Sequence, residues 1–199
     1  MNADCRVVLV APENPLNVGF VARAMRAFGA GELVIAASAW SSLPAEARVT
    51  GACAPKILDK VRFEPTLADA LRGCGTAVAF SRRPTALRRQ EFTLPRVPAL
   101  PGRAALVFGR ESTGLTRAES ALCPHLARIP CRDGVSLNLG QAVAVALFAL
   151  GASPEADRPQ AAGLIVKHAC PEPSSWRGRG TVSEYLREAG LPGIAGIDT

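Results

Sequence analysis

The 199-residue chain lacks most signatures by which a small enzyme-sized protein declares its ligand. No G-x-G-x-x-G occurs, which removes the common dinucleotide fingerprint. Gly109 and Gly114 satisfy G-x-x-x-x-G, but Leu115-Thr116 stands where a P-loop has Lys-Ser/Thr. No ammonium can then reach a β/γ-phosphate, so the P-loop reading is rejected. Six cysteines form no C-x-x-C, and only His125 and His168 accompany them. Metal sites need ligands at short spacings, so free thiols are expected and no metal is assigned. No apolar run approaches the roughly 18 residues that a membrane helix needs. The segment Met1-Asn-Ala-Asp-Cys-Arg6 leads into a strand without the apolar stretch of a signal peptide, so the expected location is cytoplasmic, with no membrane partner. There is no internal repeat.

What is present is globular: 48% hydrophobic and 20% charged residues. Twenty of the 23 basic residues are arginine, whose planar fork grips phosphate at two points. The charge is uneven. Residues 151–199 carry five basic and six acidic groups, whereas 82–117 alone hold eight Arg against two Glu. A basic stretch on an otherwise ordinary domain suggests a nucleic-acid partner. The plainer alternatives are a coding bias toward Ala and Arg, or a solvated basic loop.

The hydrophobic pattern alternates between strands and helices. Arg6–Ala11 reads as a buried strand ended by Pro12, and Pro12–Asn17 as turn chemistry. Val18, Val21, Ala22, Met25 and Phe28 recur at helical spacing until Gly29. Arg23 and Arg26 lie outside that stripe. Further strands are expected at Glu32–Ala36, Val61–Phe63, Thr76–Phe80, Ala104–Phe108 and within His125–Pro130. Helices are expected within Pro44–Cys53, at Leu67–Arg72 and at Arg117–Cys123, the last two opened by capping boxes at Thr66 and Thr116. Residues 84–102, with four prolines, read as an extended basic loop, and Asp133-Gly134 as a turn. Leu137–Leu150 reads as the longest helix. The expected class is α/β, a mainly parallel sheet with helices on both faces. Domain organisation follows: 1–150, then a 151–199 extension made of a proline-punctuated linker and one short helix, Val182–Ala189.

Two polar clusters stand out. The strand Ala104–Phe108 stops at Gly109, and the loop runs through Arg110-Glu111 to Gly114; Ser136-Leu137-Asn138 precedes the last apolar helix. Strand ends with Gly-bounded loops are where open α/β sheets bind ligands. Two such loops can form opposite walls of one pocket, or the glycines can simply turn a βα loop. Asn17 can cap the first helix or hold Arg23. Ser136 can cap the last helix and still touch a ligand. Asn138, one turn into that helix, has poor helix propensity and calls for a side-chain partner.

Three clusters together, Asn17-x-Gly19-x-x-x-Arg23, Gly109-x-Glu111-x-x-Gly114-Leu115 and Ile129 through Ser136-Leu137-Asn138-Leu139, resemble the SpoU/TrmH branch of the SPOUT methyltransferases over residues 5–150. The TrmJ-like subgroup is similar through Val18–Met25 and Ala105–Glu111. The resemblance implies a SPOUT fold with a C-terminal trefoil knot, S-adenosylmethionine held in it, a homodimer, and 2′-O-methylation of RNA, with tRNA as the substrate class. It implies catalytic roles for Arg23, Asn17, Glu111, Ser136 and Asn138, with Arg23 as the base or as a phosphate clamp. Cofactor contacts fall to Phe80, Ser81, Arg82, Gly109, Ile129, Val135, Ser136 and Leu137. RNA contacts fall to Arg23, Arg26, Arg82, Arg83, Arg88 and Arg89. Gly140 departs from the Ser or Ala usual there, and the tail lacks the helical region of TrmJ-like proteins. A non-catalytic RNA-binding module of the same fold would explain the arginines but not Asn17 and Arg23 together with Glu111. A different nucleotide-using enzyme would explain the loops but lacks a phosphate fingerprint.

Overall fold

The structure is a computed structural model that describes residues 5–81, 90–96, 100, 102–132, 135–151, 164–166, 181–188, 190 and 192–195. The chain forms two compact units, Met1–Gly151 and Ala152–Thr199.

The first unit is built on a seven-stranded, all-parallel sheet. Its strands are β1 (Arg6–Val10), β2 (Glu32–Ala36), β3 (Arg62–Glu64), β4 (Thr76–Phe80), β5 (Gln90–Thr93), β6 (Ala104–Phe108) and β7 (His125–Arg128). Their spatial order is β3-β2-β1-β6-β4-β7-β5. Every residue of β1 and of β4 is buried, as expected for strands of a parallel sheet covered on both faces. The pleat sorts neighbours to opposite sides. Val7 and Leu9 join one core with Ile35, Leu106 and Phe108, whereas Val8 and Val10 join another with Val34, Ala105 and Val107. Helices α1 (Pro15–Phe28) and α6 (Leu139–Gly151) cover the first face through Val18, Val21, Met25, Val143 and Leu147. Helix α4 (Leu67–Ala70) covers the second through Leu67 and Ala70. Each fully buried Val or Leu side chain stabilises by about 1.5–3 kcal/mol, so these two layers hold the sheet.

Several expectations need correction. Helix α1 starts at Pro15, with Asn14 accepting from the Leu16 N–H at 3.0 Å, so Asn17 lies inside the helix and does not cap it. Proline at the first helical position needs no N–H and carries a helix-ready φ, which moves the start upstream of the apolar stripe. At 14 residues α1 is also longer than α6, with 13. The short helix foreseen in Pro44–Cys53 is α2 (Glu46–Thr50), and α3 (Pro55–Leu58) was not foreseen. The region read as a loop contains β5, which pairs with β7 at the sheet edge; its polar sequence suits an edge with little burial. Helix α5 (Arg117–Ala121) has the full capping box expected at Thr116. The turn placed at Asp133-Gly134 lies outside the described residues.

The second unit contains β8 (Leu164–Val166) and β9 (Gly193–Ala195), paired in parallel, and α7 (Val182–Glu188) between them. The segment read as linker thus includes a strand. Thr181 and Glu184 cap α7 reciprocally: the Glu184 N–H donates to Thr181 Oγ1 at 3.2 Å and the Thr181 N–H to Glu184 Oε2 at 2.7 Å.

At the N-terminal end of the large sheet, Glu32 gathers three guanidinium groups, from Arg6 at 2.7 Å, Arg62 at 2.6 Å and Arg103 at 2.7 Å. Arg6 is 3% exposed and also donates to the carbonyls of Ala70 and Arg72. Partial burial pushes the Glu32 carboxyl up, but the Arg6 hydrogen bond and the three positive charges together outweigh it and hold the group below its ordinary range. A depressed carboxyl contributes stability that is present above the unfolded-state value and is lost as pH falls through the folded one. Glu32→Ala should therefore cost about 3–5 kcal/mol in a denaturant titration at pH 7, because Arg6 is left buried without its carboxylate. The difference between wild type and variant should shrink on acidification below the ordinary carboxylate range.

Candidate active site

Strands β1 and β6 are neighbours, yet the chain leaves them in opposite directions: β2 follows on one side of the sheet and β7 on the other. A crevice at the C-terminal ends of such strands is the usual ligand position in an open α/β sheet. The β1–α1 loop brings Glu13 and Asn14 to it, the first turn of α1 brings Asn17, and the β6–α5 loop brings Arg110, Glu111 and Ser112.

The Glu111 carboxylate faces the first turn of α1. It accepts from the Glu13 N–H at 2.9 Å, the Asn14 N–H at 3.3 Å and Asn17 Nδ2 at 2.8 Å. Unpaired N–H groups and the positive end of the helix dipole favour a carboxylate there. Asn17, 5% exposed, passes the connection on: its Oδ1 accepts from Asn138 Nδ2 at 2.8 Å, and Asn138 Oδ1 accepts from the Gly140 N–H at 2.8 Å. The Asn138 N–H in turn donates to Gln141 Oε1 at 3.1 Å. Asn138 is thus the cap of α6, not a residue one turn inside it, and Ser136 lies exposed two residues earlier. The sequence expectation of a side-chain partner for Asn138 holds, and the partner is Asn17.

The glycines of the motifs answer to close backbone approach. A Cβ on Gly19 would lie 2.1 Å from Thr50 Oγ1 and 2.3 Å from the Ala47 carbonyl, so Gly19 lets α2 pack onto α1. A Cβ on Gly109 would lie 2.2 Å from the Gly114 carbonyl carbon, because the loop folds back on itself; Gly114 itself has φ 73°. Arg110 pairs with both Glu119 oxygens at 3.0 Å each, which ties the loop to the α5 cap. That hydrogen bonding raises the Arg110 guanidinium above its ordinary value. Arg110 and Arg103 are both ion-paired within the protein, so not every arginine of 82–117 is spare charge.

Of the residues expected at the cofactor, Phe80 and Ser81, Gly109 and Ile129 stand at the ends of the adjacent strands β4, β6 and β7. Phe80 stacks on Phe108 with ring centroids 4.5 Å apart, while Ser81, Gly109, Ile129 and Leu137 are half-buried. Val135 is 51% exposed. Arg23 and Arg26 are exposed on α1, and among the described residues neither has a hydrogen bond or ion pair. The structure therefore does not join Arg23 to the Glu111–Asn17–Asn138 line. Arg82, Arg83, Arg88 and Arg89 lie outside the described residues. Asn14, Glu13, Ser112 and Gln141 were not foreseen. Asn14-Pro15 is a readable cap signal and Asn138-x-x-Gln141 a capping-box spacing, but nothing local marks Glu13 or Ser112.

An all-parallel sheet with a polar line across its switch point defines an α/β protein with a ligand crevice at the β1–β6 boundary. The pattern of the SpoU rRNA Methylase family matches residues 4–148, and the chain belongs to that family. It is 39% identical over 152 residues to the uncharacterized tRNA/rRNA methyltransferase LasT of Escherichia coli (strain K12), covering 72% of this chain and 66% of that protein. It is 40% identical over 157 residues to the tRNA (cytidine/uridine/adenosine-2′-O-)-methyltransferase TrmJ of Pseudomonas aeruginosa (strain UCBPP-PA14), covering 72% of this chain. The chain thus spans 66% and 58% of the length of these two relatives. A probable methylase family protein of Haemophilus influenzae Rd KW20 superposes with a TM-score of 0.68 at 30% identity, over 74% of this chain and 65% of that one. The tail has a different likeness. Residues 145–199 match the carbamoyl-phosphate synthase small chain family, CPSase domain. Forty-five residues are 60% identical to the carbamoyl phosphate synthase small chain of Bacillus caldolyticus, covering 23% of this chain and 12% of that protein.

The departure at Gly140 has a steric cause. A Cβ there would lie 2.6 Å from Phe20 Cβ, because α1 and α6 approach closely at this point. Gly140→Ala should destabilise the protein by about 1–3 kcal/mol, the usual range for overpacking. Phe20→Ala should not rescue it, since alanine keeps the opposing Cβ. Chemical denaturation of the single and double variants checks both statements.

Proposed function

We propose that residues 5–151 form an S-adenosylmethionine-dependent methyltransferase that modifies the ribose 2′-oxygen of RNA, with tRNA as the substrate class. The observation that carries this reading is the hydrogen-bonded line Glu111–Asn17–Asn138, which draws one residue from each motif to the crevice beside β1 and β6. The name of the Pseudomonas aeruginosa relative supports the reaction type and the tRNA class.

The residues at the ends of β4, β6 and β7 fit the cofactor. Ile129 and Leu137 offer half-buried apolar walls, and Ser81 and Ser136 offer polar groups. The backbone of Ser136–Leu137 lies outside any helix or strand, where its N–H and C=O groups can meet a ligand. Bound there, the cofactor supplies a methyl group already activated for transfer. The protein's own work is to align the ribose 2′-oxygen and to let its proton leave. Asn17 and Asn138 hold fixed donors and acceptors at the crevice. A guanidinium is a hydrogen-bond donor with no lone pair free to accept a proton, so the role that suits Arg23 is not that of the base. Its planar fork suits a two-point grip on a substrate phosphate, which can relay the proton.

A homodimer belongs to the same reading. Leu16, Phe20 and Arg23 follow one another along α1 at helical spacing, and Leu16 is 38% and Phe20 44% exposed. A second copy covering the two apolar residues would put Arg23 at the edge of the interface. The late strands β6 and β7 each insert between earlier ones, an interleaving that supports the trefoil knot. No helix among the described residues is long and apolar enough to cross a membrane. A tRNA substrate places the work in the cytoplasm. Residues 152–199 belong to the second unit.

Titration calorimetry with S-adenosylmethionine, light scattering, and tritiated-methyl transfer to bulk tRNA test this reading. The expected outcome is a dimer that binds the cofactor and labels tRNA at a 2′-oxygen. Arg23→Ala should abolish transfer while leaving cofactor affinity nearly intact, and Arg23→Lys should restore little. Label on a base, or full activity in Arg23→Ala, would overturn the reaction or the role.

A further inference from the structure

We infer that Glu13 and Ser112, neither of them among the residues of the three motifs, form a clasp that positions the Glu111–Asn17–Asn138 line for catalysis; the inference rests on the methyltransferase reading above. Glu111 reaches from the β6–α5 loop to the backbone of the β1–α1 loop, at the Glu13 and Asn14 N–H groups. Glu13 answers in the opposite direction. Its Oε2 accepts from the Ser112 N–H at 3.0 Å and its Oε1 from Ser112 Oγ at 2.6 Å. Each loop therefore presents a carboxylate to the other's backbone, and the two connections close a ring.

Both loops are already shaped by their own backbones. Ala11 leaves β1 with φ 44°, its N–H bonded to the Ala36 carbonyl at 2.8 Å, and Pro15 opens α1. Across the crevice, the Gly114 N–H donates to the Arg110 carbonyl at 2.8 Å. What the loops lack without the clasp is a fixed separation. Two neighbouring carboxylates would otherwise repel each other. Here each is spent on N–H or O–H donors of the opposite loop, and the Ser112 hydroxyl followed by its N–H holds the Glu13 carboxyl below its ordinary range.

The fixed separation and the α6 cap together hold the sense of the amides. Because the Asn17 NH2 group faces Glu111, its carbonyl oxygen must face Asn138. The Asn138 NH2 group then donates to it, and the Asn138 oxygen accepts from Gly140. A drift of Glu111 would leave the Asn17 NH2 group without its acceptor and loosen its grip on Asn138, and a displacement on the order of 1 Å at a reacting centre can cost about a hundredfold in rate. Glu13 and Ser112 are exposed, so packing does not account for their mutual bonds.

The test uses 15N-labelled full-length protein and the side-chain amide resonances of Asn17 and Asn138. Glu13→Ala and Ser112→Ala should each shift these resonances, and the double variant should shift them no further. Ser112→Thr, which keeps both donors, should restore them. With bulk tRNA and S-adenosylmethionine, Glu13→Ala should lower kcat by about tenfold to a hundredfold, with KM for the cofactor unchanged. Resonances that stay in place in Glu13→Ala would overturn the clasp. Resonances that move while kcat holds would overturn its positioning role. If the wild type transfers no methyl group, the methyltransferase reading fails, and the resonances still report on the clasp.

Discussion

The Glu111 carboxylate sits against the start of α1, accepting from the Glu13 and Asn14 N–H groups and from Asn17 Nδ2, and the geometry of the crevice depends on it. A helix start leaves N–H groups without partners, and a carboxylate from another loop meets them at the positive end of the dipole. That contact fixes β6's loop against β1's loop. It also holds the Asn17 amide in the sense that matches Asn138, which the Gly140 N–H orients as the cap of α6. One charged group thus ties two strand ends and two helix starts. The close approach of α1 and α6 that makes this possible is permitted by Gly140, and the support of α1 by α2 is permitted by Gly19.

Much of this was legible in the sequence because the signals are local. The buried strands β1, β2, β4 and β6 are short apolar runs, and the caps at Thr66 and Thr116 follow from spacing. The three motifs named Asn17, Glu111 and Asn138, and those residues meet. Less legible was anything decided by tertiary context. Strand β5 is polar and exists because β7 offers it an edge. The start of α1 followed Asn14-Pro15 and not the apolar stripe. Glu13 and Ser112 are an ordinary surface acid and hydroxyl until a neighbouring strand brings their loops together, across a separation of 99 residues.

The tail has a different origin of likeness from the sheet. Its parallel pair β8 and β9 around α7 carries the pattern of a carbamoyl-phosphate synthase small chain, whereas the first unit carries that of a SpoU methylase. A two-stranded sheet has little core of its own, and the matched stretch is a small part of the synthase chain. The hydrogen bonds of the Glu111–Asn17–Asn138 line join residues of the first unit, and the catalytic reading is argued from that unit.

The most direct test of that reading is methyl transfer to bulk tRNA by Glu111→Gln, with the label mapped after nuclease digestion. Glutamine keeps the shape but has a single acceptor oxygen, too few for the three donors Glu111 serves, and no charge for the helix start. The account expects a fold and cofactor affinity close to wild type, with 2′-oxygen labelling strongly reduced. Undiminished labelling of the ribose by Glu111→Gln would contradict it.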